Sequence, residues 1–144
     1  MTESYERTFI GIDYGERRIG LAKSDPTGLI ASALKTLQVG SPKDALRQIA
    51  EVIREYEPNG LVVGYPVNID GEKTRKCQEI DRFIKKLKTV YPGPIYREDE
   101  RHSSEDAADI IHEHRKRAGS DKGRIDRLAA TVFLQHFLDE LPRE

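Results

Sequence analysis

The chain predicts an α/β fold: a mixed five-stranded sheet in spatial order 3-2-1-4-5 with helices on its faces. Two observations carry that expectation. Three short apolar segments come first, joined by tight turns, as in an antiparallel meander. From Ser41 onward the apolar spacing switches from alternation to steps of three and four, interrupted by two short apolar runs. That is the signature of helices alternating with buried parallel strands. The element order reads βββαβαβαα, and right-handed crossovers set the fourth and fifth strands parallel to the first.

Each element has a local reason. Residues 8–13, containing the apolar phrase FIGID, read as the first strand, and Ile19 to Ser24 form the second strand beyond a turn at Glu16 and Arg17. DPTG, Asp25 to Gly28, has turn chemistry. Leu29 to Val39 contains the third strand. Ser41 is placed to cap a helix, with Pro42 at its first position and Asp44 as the capping-box partner. Leu46, Ile49, Val52, Ile53 and Tyr56 mark its buried stripe, and Pro58 and Gly60 are expected to end it. LVVG, Leu61 to Gly64, is the fourth strand. A second helix runs from about Thr74 to Thr89 on Cys77, Ile80, Ile84 and Leu87. PIYR, Pro94 to Arg97, is the fifth strand. Ser103 or Ser104 caps a helix to about Lys116, broken at Gly119. A last helix carries Ile125, Leu128, Val132, Phe133, Phe137 and Leu141.

With 144 residues the chain suits one domain, residues 1–144, large enough to bury about two thirds of its unfolded surface. One cysteine, Cys77, allows no internal disulfide and fits a reducing compartment. The polar start MTESYERTFIGID predicts no signal peptide, and no apolar run is long enough to span a bilayer. A cytoplasmic protein is expected. The net charge of −1 gives no global pull toward nucleic acid. Locally, Arg115 to Arg127 carries six basic residues against Asp121 and Asp126, a patch that also suits a solvated helix end.

In sheets of this kind, sites form at the carboxyl ends of the parallel strands. Asp13 stands at such an end, and one of Glu98, Asp99 and Glu100 follows the fifth strand. Asp126, next to the apolar Ile125 near the start of the last helix, can reach the same edge. Clustered carboxylates repel unless cations offset them, and hard divalent ions with oxygen ligands do so. Each acid also has an ordinary reading: Asp13 accepting turn N–H bonds, Asp126 in a helix first turn, Glu100 paired with Arg97 or Arg101.

GIDYGERRIGLAKSD, VVGYPVNIDG, DERHSS and KGRIDRLAA resemble, in order and spacing, the motifs of the YqgF family, from Ile10 to about Phe137. These are small bacterial proteins with an RNase H-like fold, related to RuvC-type Holliday-junction resolvases. GIDxG alone also opens actin-like ATPases and sugar kinases, but those need a second duplicated domain. The resemblance implies a metal-dependent nuclease with an acidic triad at Asp13, Glu100 and Asp126, and so selects Glu100 from its acidic neighbours. The chain departs from the family pattern at Tyr65, where Leu is common, at His102, where Leu or Phe is usual, and at Ser104, where Thr is common. None of these removes a carboxylate.

The triad is expected to hold Mg²⁺ or Mn²⁺, which would orient a water against a phosphodiester. Arg17, Arg18, Asn68, Arg101, Lys122 and Arg124 are candidate nucleic-acid contacts, though each alone also reads as a solvated polar group or a local ion pair. The loop NIDGEKTRK is a candidate substrate clamp or an ordinary surface connection. The resemblance favours the 5′ end of pre-16S ribosomal RNA as substrate, with ribosomal particles as possible partners. A four-way DNA junction is the alternative, and a non-catalytic nucleic-acid-binding module the second. Monomer and weak homodimer both fit. A junction resolvase, cutting two symmetric strands, calls for a dimer.

Overall fold

The computed structural model describes residues 8–67, 72–99 and 122–142. β1 (Phe9–Asp13), β2 (Arg18–Ser24) and β3 (Ala31–Gln38) form the meander. Then come α1 (Pro42–Tyr56), β4 (Gly60–Tyr65), α2 (Arg75–Leu87), β5 (Ile95–Asp99) and α3 (Lys122–Asp139). The sheet order is β3-β2-β1-β4-β5, as the sequence predicts. β1 pairs antiparallel with β2 and parallel with β4, which pairs parallel with β5. The helix expected between Ser103 and Lys116 lies outside the described residues.

Strand alternation divides β1 between two cores. Ile10 and Ile12 face one side, where Ile49 and Val52 of α1 and Cys77, Ile80, Ile84 and Leu87 of α2 cover them. Phe9 faces the other side with Val62, against Ala130, Phe133, Leu134 and Leu138 of α3. The α3 stripe differs from the expected one. Leu128 and Val132 are only half buried, while Ala130, Leu134 and Leu138 are fully covered. The short residues of β1 and β2 explain this choice. A Cβ on Gly11 would meet Leu134 Cβ at 3.0 Å and Ala130 O at 3.1 Å, so α3 presents its small and γ-branched side to a nearly flat surface.

The local chemistry follows the sequence with three adjustments. Ser41 Oγ accepts from the Asp44 N–H at 3.0 Å, while Asp44 Oδ2 accepts from Gly40 N–H, one residue before the cap. α1 ends at Glu57 in the left-handed region (φ 45), and Gly60 is already the first residue of β4. β5 runs on to Asp99, so Glu98 and Asp99 lie in the strand and not beyond it. The Asp25 turn is as expected, with Gly28 at φ 72 and the Asp25 carboxylate accepting from the Leu29 and Ile30 N–H groups. Tyr65 has a use for its hydroxyl, which donates to Asp81 at 2.8 Å. Burial first, then that bond, pushes the phenol up to about 12, so it remains a donor at neutral pH.

Candidate active site

β1 carries Asp13 to the carboxyl edge of the sheet, in register with Gly20 of β2. Gly20 sets what lies above it. A Cβ there would sit 2.2 Å from the Asp126 carbonyl oxygen, so only the bare backbone lets α3 settle onto β2 at Asp126. The strand order and one glycine thus bring two acids, far apart in sequence, to one cleft. Asp13, Tyr14, Gly15, Glu16, Arg17, Arg18, Lys76, Glu79 and Asp126 line it, around a volume of ≈ 380 Å³.

The cleft is polar and carries both signs. Arg18 Nε donates to Asp126 Oδ2 at 2.8 Å, with both side chains part-buried. Arg18 is the first residue of β2, and its first role is to hold Asp126. Arg17 is exposed at the rim, its carbonyl accepting from Val39 N–H. Tyr14 closes the inner wall, its ring stacked on Phe83 at 4.3 Å. Burial raises the Tyr14 phenol above its ordinary range, and the nearby Glu79 and Glu16 carboxylates raise it further.

Of the sequence-predicted residues, Asp13, Asp126, Arg17 and Arg18 come together here. Arg124 is exposed on the first turn of α3 and is not among the cleft's lining residues. The backbone of Lys122 opens α3. Its side chain, together with Glu100, Arg101 and Asn68, lies outside the described residues. Lys76, Glu79 and Glu16 were not anticipated. Lys76 and Glu79 sit three apart on the first turns of α2, whose start faces the same sheet edge, and that position was the available signal.

Arg97 meets Asp81, Nε to Oδ1 at 3.0 Å; its expected pairing with Glu100 lies outside the described residues. This contact between β5 and α2 was not expected from the sequence. Glu98 faces α3, 7% exposed, and its Oε2 lies 2.6 Å from His136 Nδ1. With Glu140 these groups bring possible ligand atoms within 4.8 Å of one another, away from the cleft of Asp13 and Asp126. Its structural effect is to tie β5 to α3. His136→Ala should therefore cost about 1–3 kcal/mol, because a buried carboxylate loses this partner. Adding Glu98→Leu should recover part of the loss. Denaturant titration of both variants measures it, and an unchanged midpoint in His136→Ala would dismiss the tie.

The chain is similar to known proteins along nearly its whole length. The family described as "RuvX: Holliday junction resolvase" matches residues 7–140. A relative from Syntrophus aciditrophicus, named "Putative pre-16S rRNA nuclease", is 36% identical over 135 residues, covering 94% of this chain and 90% of the relative. A relative of the same name from Crocosphaera subtropica is 37% identical over 131 residues, covering 91% and 92%. Among solved structures, Thermus thermophilus RuvC in complex with a Holliday junction aligns with a TM-score of 0.61 at 14% identity, covering 94% of this chain and 98% of that one. The fowlpox virus resolvase with junction DNA aligns at 0.57 and 14% identity, covering 94% and 99%. These two establish the RuvC-like, RNase H-like fold. With the family match and two relatives above 35% identity, they place the chain in the RuvX family, the YqgF family that its motifs resemble.

Proposed function

We propose that the chain is a metal-dependent endonuclease that matures the 5′ end of pre-16S ribosomal RNA in the cytoplasm. It is a hydrolase of the nuclease class, acting on phosphodiester bonds. The observation that carries the reading is the meeting of Asp13 and Asp126, from opposite ends of the sequence, in one cleft rimmed by Arg17, Arg18 and Lys76. The relatives named as pre-16S rRNA nucleases, matched over 90% and 92% of their own length, favour RNA.

The donor set suits a hard divalent ion. Asp13 and Asp126 offer carboxylate oxygens, and Arg18 occupies Oδ2 of Asp126, which fixes the orientation of that carboxylate. Asp13, Asp126 and Glu100 would hold Mg²⁺ or Mn²⁺. Such ions, when bound, activate a water and offset charge on the pentavalent phosphorus. The chain's own work is positional. Arg18 holds Asp126 in place, and Tyr14, backed by Phe83, walls the cleft with apolar surface. Arg17 and Lys76 offset phosphate charge at the rim. Asn68, Arg101, Lys122 and Arg124 remain candidate contacts to the substrate backbone.

A second reading, resolution of four-way DNA junctions, is favoured by the matched family's own description. One experiment separates the two. Purified protein is incubated with matched precursor RNA and junction DNA, with and without Mg²⁺ or Mn²⁺. Cells depleted of it are examined for 5′-extended small-subunit RNA. The expected result is ion-dependent RNA cleavage, and extended RNA that a wild-type copy removes and an Asp13→Asn copy does not. A normal 5′ end in depleted cells, with paired symmetric nicks in the junction, would establish the DNA reading.

A further inference from the structure

The cleft does not end at its carboxylates. Tyr14, Glu16 and Glu79 also wall a second hollow of ≈ 200 Å³, completed by Pro42, Arg82, Phe83 and Lys86. The two hollows share three residues and so adjoin, and together they are taken as one groove. α2 runs beside it. Its apolar positions, Cys77, Ile80, Phe83, Ile84 and Leu87, are taken up by the core. Lys76, Arg82 and Lys86 are left exposed toward the groove. At 1.5 Å per residue these cations stand about 9 Å and about 6 Å apart along the helix axis.

The charge on this helix is out of proportion to the chain. Arg75 to Lys88 carries six basic residues against Glu79 and Asp81, in a protein of net charge −1. Asp81 is matched elsewhere, by Arg97 at 3.0 Å and Lys73 at 3.8 Å. Glu16 and Glu79 line both hollows and so mark the seam between the carboxylate-bearing end and the cationic end. A solvated amphipathic helix accounts for exposed lysines. It does not account for three of its cations lining two adjoining hollows, one of which holds Asp13 and Asp126.

We propose that the groove beside α2, from Lys76 through Arg82 to Lys86, is the track for the polynucleotide backbone flanking the cut. This rests on the nuclease reading above. The contacts are to phosphate, so the track positions the substrate and reads no base.

The test is equilibrium binding of the full chain across a salt series, without divalent ion so that nothing is cut. The probes are single-stranded RNA extending on both sides of the mapped cut, the same strand trimmed on either side, and polyglutamate as a stand-in for an acidic protein surface. Arg82→Ala/Lys86→Ala should weaken binding to the long RNA and shrink the slope of log K against log[salt] by about 1.4, at about 0.7 per phosphate contact on a single strand. Trimming one flank should erase the difference. Lys35→Ala/Arg54→Ala removes the same charge from exposed positions outside both hollows and should leave the slope unchanged. If the double alanine variant melts below wild type, Arg82→Gln/Lys86→Gln is read in the same way.

If wild type binds and cleaves RNA but the slope is unchanged, the track alone is overturned. An equal loss in the control pair, or a loss confined to polyglutamate, also overturns it. If wild type neither binds nor cleaves any nucleic acid, the nuclease reading falls and the track falls with it.

Discussion

Asp13→Asn should lower the rate of phosphodiester cleavage by about 10³-fold or more, equivalent to about 4 kcal/mol of transition-state stabilisation. Asp126→Asn should do the same. The substitution keeps the shape and removes the charge. An amide oxygen is a poor ligand for a hard divalent ion beside a carboxylate, so ion and water lose their place together. Glu100→Gln is expected to match them if the triad is complete. Stability should separate the two described acids from each other. Asp126 accepts a charge-assisted bond from Arg18, so Asp126→Asn should cost about 1 kcal/mol in the ion-free protein. Asp13→Asn removes one of the negative charges crowded at the same cleft, so its ion-free melting temperature should be level with wild type or slightly higher. In wild type, Mg²⁺ or Mn²⁺ should raise the melting temperature by linkage, and in Asp13→Asn that rise should largely vanish. Single-turnover cleavage and ion-dependent melting check the two halves independently. Full activity in Asp13→Asn would remove it from the chemistry. A wild-type protein that binds RNA and never cuts it would make the chain a binding module.

The sheet order was legible because it depends on features a sequence displays openly. These are three strands with short turns, then alternation of helix and apolar run, and one handedness rule. Ser41 and Pro42 fixed the start of α1 through local chemistry that does not depend on the rest of the chain. Ends were harder. Gly60 looked like a terminator, yet Glu57 takes the left-handed position because the strand register needs Gly60 at the start of β4, where its missing Cβ leaves room for the Phe9 ring. β5 looked two residues shorter because Glu98 and Asp99 are charged. Tertiary pairing with β4 and the His136 contact outweigh their low strand propensity. At the site, Asp13 and Asp126 were readable from position and motif. The Arg18–Asp126 pair was not, since it spans 108 residues and depends on where α3 lands. Lys76, Arg82 and Lys86 were hidden for a similar reason. Exposed cations on an amphipathic helix look alike until a groove picks out one side of it.

Gly20→Ala should be the most damaging single methyl in the described residues, because it acts on fold and site together. The added carbon would stand 2.2 Å from the Asp126 carbonyl oxygen, 2.3 Å from its carbon and 2.8 Å from the Arg127 nitrogen. All three are backbone atoms of one helical turn, so no rotamer change relieves the clash. α3 must lift from β2. That disturbs the bond from Arg127 Nη1 to Thr36 Oγ1 at 3.0 Å and the Arg18–Asp126 pair. Overpacking of this kind costs about 3 kcal/mol or more. For a domain of this size that lowers the melting temperature by roughly 6–12 °C. The activity loss should exceed the loss of folded protein. Assayed well below its melting point, the variant should still be slower by about 10²-fold, since a shift of about 1 Å in a positioned group has that effect. Gly40→Ala supplies the comparison. Its Cβ would have only Asp44 Oδ2 nearby, at 3.9 Å, and its N–H bond to that carboxylate survives the change. That variant should match wild type in both melting and cleavage. If Gly20→Ala melts with wild type and cuts at the wild-type rate, α3 does not rest on β2 in this way, and the convergence of Asp126 with Asp13 must have another cause.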